Sequence, residues 1–92
     1  NDEYNGKGLL IKNSASIFGD WEGGEINGNV IYKIHSKFEY TGNFENNKKN
    51  GFGTEKYPDG SEYIGNFINN KKNGHGKYSF PNKEYYEGNF EN

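Results

Sequence analysis

Two histidines, thirteen carboxylates and eleven lysines are the side chains of this 92-residue sequence that could do acid–base, metal or phosphate chemistry. A general acid or base needs a partner within hydrogen-bond reach and a setting that tunes its pKa. His35 falls near a turn and His75 on a polar strand face, and neither has a Ser, Asp or Cys companion at a readable spacing. Glu39 and Glu62 recur 23 residues apart and Asp59 lies in a Pro-Asp-Gly turn, so they fit sheet-edge or turn roles better than a unique acid/base pair. No His, Asp and Glu cluster has the spacing of a metal site, and no cofactor is implied. The G-x-G runs at Gly6-Gly8, Gly51-Gly53 and Gly74-Gly76 open no amphipathic helix, and no G-x-x-x-x-G-K-S/T follows. They read as positions of close packing beneath aromatic rings. The expectation is a protein that is not an enzyme.

The lysine pairs Lys48-Lys49 and Lys71-Lys72 are the stronger candidates for binding, because stacked repeats place them on neighbouring hairpin tips. Such a ladder would attract anionic phospholipid headgroups, phosphoinositides included, at about 1 kcal/mol for each cation near a charged surface. The competing reading is a solvated loop in which Lys48 pairs with Glu45. Acidic Glu22 and Glu25 flank the corresponding turn of the preceding unit, so the ladder does not run the length of the chain. A formal net charge of -2 and the absence of Arg argue against nucleic acid, although a codon bias toward Asn, Lys, Ile, Tyr and Phe would also explain the missing Arg.

The elements that carry these side chains come from a repeat. A shift of 23 positions moves Tyr40, Gly42, Phe44, Gly51 and Gly53 onto Tyr63, Gly65, Phe67, Gly74 and Gly76, and a second shift reaches Tyr86, Gly88 and Phe90. Moving backwards, Gly42, Phe44, Asn47 and Gly51 fall on Gly19, Trp21, Gly24 and Gly28. Y-x-G-x-F, then G-x-G, then Y-P-D-G resembles the MORN (membrane occupation and recognition nexus) repeat. Where that family usually has Gly three residues after the aromatic, this chain has Gly24 once and then Asn47 and Asn70. Asn tolerates positive φ, so the turn is expected to survive. The resemblance implies scaffolding and dimerising arrays, attached to cytoskeletal, membrane-junction or enzymatic proteins such as lipid kinases and a lysine methyltransferase.

The period predicts an all-β fold, an elongated single-layer antiparallel meander of stacked β-hairpins with about eight strands. A partial unit at 1–16, units at 17–39, 40–62 and 63–85, and a partial unit at 86–92 make one domain, expected to be a fragment of a longer chain. A two-residue turn at Asn46-Asn47 pairs Glu45 with Lys48, Phe44 with Lys49, Gly42 with Gly51 and Tyr40 with Gly53. The same register pairs Ile17 with Val30. A three-residue loop at Pro58-Asp59-Gly60 sets Gly53 beside Gly65, and a turn at Asn13-Ser14 sets Leu10 opposite Ile17. The turns at Ile34 to Phe38 and at Phe80 to Glu84 lack that loop's Gly and are expected to be strained, or to use Asn82 and Lys83 at less favourable angles.

One face then collects Ile17, Trp21, Tyr32, Phe38, Tyr40, Phe44, Tyr57, Tyr63, Phe67, Tyr78, Phe80, Tyr86 and Phe90 between glycines. The other, with Thr41, Asn43, Phe52, Thr54, Asn66, Asn73, His75 and Lys77, is expected to be mostly polar. A mean hydropathy of -1.21 leaves no aliphatic two-layer core, so stability must come from rings packed over glycines. A single layer leaves part of that face open, and Trp21, Tyr40, Phe44, Tyr57, Tyr63, Phe67, Tyr78 and Tyr86 are the candidate contacts for a protein partner. Self-association through the unpaired outer strands is a further expectation, and so is a role as the targeting appendage of a fused enzyme. The absence of Cys is compatible with a reducing, cytoplasmic setting, and the resemblance implies a place at the inner membrane surface or on the cytoskeleton.

Overall fold

Alternation of aromatic or glycine with polar residues gives each unit two strands, and the short Asn, Gly and Pro turns force them into consecutive hairpins. The structure, a computed structural model, describes residues 4–35 and 38–91. Eight strands follow one another: β1 (Gly6–Lys12), β2 (Ala15–Glu22), β3 (Glu25–Ile34), β4 (Phe38–Glu45), β5 (Lys48–Lys56), β6 (Glu62–Ile68), β7 (Lys71–Ser79) and β8 (Tyr85–Phe90). They form one antiparallel sheet in the order β1-β2-β3-β4-β5-β6-β7-β8, with overall dimensions of 45 × 26 × 18 Å. The expected meander is therefore observed.

The turns behave as their residues dictate. Asn46 and Asn47 take φ of 52° and 67°, and Asn69 and Asn70 take 50° and 74°, the left-handed pair that Gly23 and Gly24 supply in the preceding hairpin. At Pro58-Asp59-Gly60 the Gly60 amide donates to Tyr57 O and the Tyr57 amide to Ser61 O, closing the three-residue loop with Gly60 at φ 94°. The Phe80 to Glu84 turn copies this loop with Lys83 at φ 77°, the unfavourable angle expected of a turn without its glycine, whereas Asn82, also expected there, stays out of the positive-φ region. In the other glycine-free turn, His35 lies at φ 42°, while Ser36 and Lys37 lie outside the described residues.

The register within each hairpin departs from expectation. Glu45 pairs with Lys48 and Phe44 with Lys49, but then the pairing slips by two, so that Gly42 faces Gly53 and Tyr40 faces Glu55, not Gly51 and Gly53. Asn50, Gly51 and Phe52 oppose Asn43 alone. Gly51 adopts φ 99°, and the Asn43 Nδ2 donates to Asn50 O at 2.7 Å to hold this bulge. β6 and β7 repeat it with Gly74 at φ 86°, and β2 and β3 with Gly28 at φ 80°, so Ile17 faces Tyr32 and not Val30. A slip of two leaves every side chain on its own face, which is why alternation alone could not reveal it. Between hairpins the expected pairs hold, Gly53 with Gly65 and Leu10 with Ile17, and Gly51 faces Phe67.

The core lies on the aromatic face. Trp21, Ile26, Val30, Tyr40, Phe44, Tyr63 and Phe67 are its buried residues, with Leu10, Ile17, Tyr32, Phe38, Tyr57, Tyr78 and Phe90 packed against them. Neighbouring units are clasped at their tips. The Asn47 side chain accepts from the Ile26 amide at 2.9 Å while its own amide donates to Ile26 O, and Asn70 does the same to Lys49. The opposite face is less polar than expected, because Leu9, Phe18 and Ile31 lie side by side on β1, β2 and β3 and are exposed.

Candidate docking face

Two tiers of rings cross the aromatic face. The inner tier is Tyr40, Phe44, Phe67, Tyr63 and Phe90, joined edge to face at centroid distances of 4.9 to 5.4 Å. Each ring pair of this kind adds about 1 kcal/mol to the burial itself. Tyr40 and Tyr63 are fully buried because their rings lie over Gly53 and Gly76, and their hydroxyls donate to Asn43 O and Asn66 O at 2.8 and 3.0 Å. Burial, and then the negative charge of Glu55, pushes the Tyr40 phenol up to about 12.

The outer tier is Tyr32, Phe38, Tyr57, Tyr78 and Phe80, in ring-to-ring contact in that order at 6.4, 5.8, 5.8 and 5.1 Å. The first four are half-buried and Phe80 is exposed, and among the described residues no second layer covers them. Of the eight residues the sequence nominated for partner contact, Trp21, Tyr40, Phe44, Tyr63 and Phe67 are buried in the chain's own core. Tyr57, Tyr78 and Tyr86 keep ring surface at the face. The open surface is thus displaced toward the Pro58 and Pro81 turns, where Tyr32, Phe38 and Phe80 join it.

Between the tiers lies a charge cluster that the sequence reading missed. Glu55 is 4% exposed. Its Oε2 accepts from Lys49 Nζ at 2.6 Å, its Oε1 accepts from the Tyr57 hydroxyl, and Lys72 Nζ stands 3.7 Å from Oε1. The Lys49 ammonium also lies over the rings of Phe38, Tyr40 and Phe67, and that of Lys72 over Tyr57 and Tyr63. Burial and the bond to Glu55 raise the Tyr57 phenol far above the usual range. A signal was present in the repeat: the positions 23 residues either side of Glu55 hold Tyr32 and Tyr78.

The four tip lysines therefore separate. Lys48 and Lys71 are exposed, while Lys49 and Lys72 turn onto the aromatic face and engage Glu55. The alternation of a strand sends the two members of each pair to opposite faces.

The groups first considered for chemistry lie elsewhere. His75 Nε2 sits 3.6 Å from Glu87 Oε2 with both side chains exposed. Glu39 and Glu62 alternate with Lys33 and Lys56 in a cross-strand row on the opposite face. Asp59 accepts from the Ser61 amide at 2.9 Å and hydroxyl at 2.5 Å, which holds its carboxyl below the usual range. In each G-x-G the first glycine takes positive φ, at the bulge in β5 and β7, and the second lies beneath a ring. Among the described residues no group of three His, Asp or Glu could hold a metal ion, and no helix is long and apolar enough to cross a membrane.

No curated protein matches the sequence. Residues 40–62 and 63–85 match the MORN repeat, two consecutive units that make up half of the chain, and the chain belongs to the MORN repeat family.

Proposed function

We propose that the chain is a non-catalytic docking module, a rigid slab that holds a protein partner along the outer aromatic tier. MORN repeats are generally protein- or membrane-interaction modules. The observation that supports a protein partner here is the continuous run Tyr32, Phe38, Tyr57, Tyr78 and Phe80, left uncovered by a one-layer sheet. Tyr and Phe on a rigid backbone bury large area at small entropic cost, which is what anchors an interface. The phospholipid reading is weaker because Lys49 and Lys72 are committed to Glu55, leaving Lys48 and Lys71 as the exposed pair at the tips. Self-association would use the outer edges of β1 and β8, each of which has one neighbour in the sheet. Within a cell the expected setting is cytoplasmic.

A photo-crosslinking residue at position 78, with position 54 on the opposite face as control, tests the docking face, and vesicle sedimentation tests the tips. Crosslinking of a protein from position 78 and not from 54, with no binding to phosphoinositide vesicles at physiological salt, supports the docking reading. Vesicle binding that disappears when Lys48 and Lys71 become Ala, without crosslinking from position 78, would replace it with the lipid reading.

A further inference from the structure

A partner lying on the outer tier must answer the charge already there. Two ammonium groups, Lys49 and Lys72, face one carboxylate, Glu55, an excess of one positive charge on a chain whose formal net charge is -2. The carboxylate is divided unequally. Lys49 takes Oε2 and the Tyr57 hydroxyl takes Oε1, whereas Lys72 stands 3.7 Å away and makes no hydrogen bond among the described residues. Its ammonium is held over the rings of Tyr57 and Tyr63 at 5.6 and 5.5 Å, and its side chain is 30% exposed. The repeat explains the asymmetry. Lys49 has the acid of its own unit, but at the position matching Glu55 the unit of Lys72 carries Tyr78, so Lys72 shares a neighbour's carboxylate. Three N–H donors remain on a partly desolvated cation flanked by open aromatic surface.

We infer that the outer tier selects a partner segment carrying an Asp or Glu carboxylate between apolar side chains, with the carboxylate received by Lys72 and the apolar neighbours laid on Tyr78 and Phe80. This rests on the docking reading above and adds the chemistry of the occupant. A basic segment would be repelled by the surplus charge, and a neutral one would desolvate the ammonium without replacing its water. A flat anionic membrane fits less well, because Lys72 lies on the face opposite to Lys48 and Lys71, so a membrane laid on either face would not engage all three.

The test is a random 12-residue peptide library displayed against the 92-residue chain, followed by anisotropy titration of the recovered peptides. Wild type, Lys72→Met, Lys71→Met and Tyr78→Ser are compared, with thermal melts to check each fold. Enrichment of Asp or Glu beside apolar residues is expected. Lys72→Met should weaken binding by about tenfold or more, and Lys71→Met by less than about twofold. Changing the peptide's acid to its amide should weaken binding to wild type by the same factor and have no further effect on Lys72→Met. The wild-type half of that arm stands even if a protein variant misfolds. Recovered peptides without acidic bias, or binding that falls with Tyr78→Ser but ignores Lys72→Met, overturn the inference and leave the docking face standing. Binding indifferent to both variants, or no recovered peptide, overturns both. Binding to phosphatidylserine vesicles that Lys72→Met abolishes, in the absence of acidic peptides, assigns this lysine to a membrane and also overturns the inference.

Discussion

The hairpin of β2 and β3 and the hairpin of β4 and β5 share one backbone and fill its aromatic face with different chemistry. In the second, the Tyr40 ring reaches diagonally across to cover Gly53, and Gly42 and Gly53 approach so closely that a Cβ on Gly42 would lie 2.4 Å from the Gly53 Cα. In the first, Ile17 stands in place of Tyr40 and the 1% exposed Val30 in place of Gly53, and Val30 occupies the space a ring would have taken. A Cβ on Gly19 would meet Ile26 and Val30 at 3.0 and 3.1 Å, and Asn29 O also at 3.1 Å. Lys49 with Glu55 likewise replaces Ile26 with Tyr32. The bulge, the two-residue turn and the tip clasp persist through both exchanges. What the repeat demands is a filled volume over a fixed backbone, and either a ring over glycine or two aliphatic side chains supply it.

The largest expected effect tests that difference at its tightest point. Gly42→Ala should destabilise the fold by about 3 kcal/mol in urea denaturation, because the added methyl meets backbone that cannot turn aside. Gly19→Ala at the matching position should cost about half as much, since two of its three nearest contacts are side chains that can shift. Equal losses would show that the two hairpins are not packed differently.

Next comes the charge pair. Glu55→Ala leaves the Lys49 ammonium, on a side chain 16% exposed, without its partner and should cost about 3 kcal/mol. The double change Lys49→Ile with Glu55→Tyr rebuilds the face on the pattern of Ile26 and Tyr32, and should return stability to within about 1 kcal/mol of wild type. If the double variant is as unstable as Glu55→Ala, the units are not interchangeable.

Alkali separates the hairpins more gently. The Tyr40 phenol is raised from 10.0 to about 12, so the folded state keeps a proton that the unfolded chain gives up. Its contribution is complete below pH 10 and is lost as pH rises from there toward 12, at up to about 1.4 kcal/mol per unit. Ile17 has nothing to titrate at the matching position. Tyr40→Phe should therefore flatten the alkaline fall in melting temperature, and an unchanged slope would place the sensitivity elsewhere. The smallest effect belongs to the tips: Lys48→Ala with Lys71→Ala should change stability by less than about 0.5 kcal/mol, since both side chains are solvated.

Much of this architecture was legible in the residues. Glycine and aromatic positions recurring at 23 residues require identical strands, and Asn-Asn or Pro-Asp-Gly turns allow only hairpin connections, so strand number, order and face followed from local stereochemistry. The bulge was not legible, because a slip of two preserves alternation and is set by the positive φ of Gly51 together with the Asn43 amide reaching across the strand. Nor was the division of the aromatic face into a buried inner tier and an open outer one. Tyr40 and Tyr57 are both tyrosines on one face, and only the distance of each from its neighbours decides which is core.

Glu55 shows the limit most plainly. By type and spacing it is one carboxylate among thirteen. Folding brings Lys49 from its own hairpin and Lys72 from the next to the same carboxylate, six and seventeen residues away along the chain. Period and turn chemistry are local, and the sequence alone determined what they control: the strands, their order and their faces. Proximity across the sheet is a sum over registers, and only the tertiary structure decided which rings stay open, which lysines lose their solvent, and where one positive charge is left without a full partner.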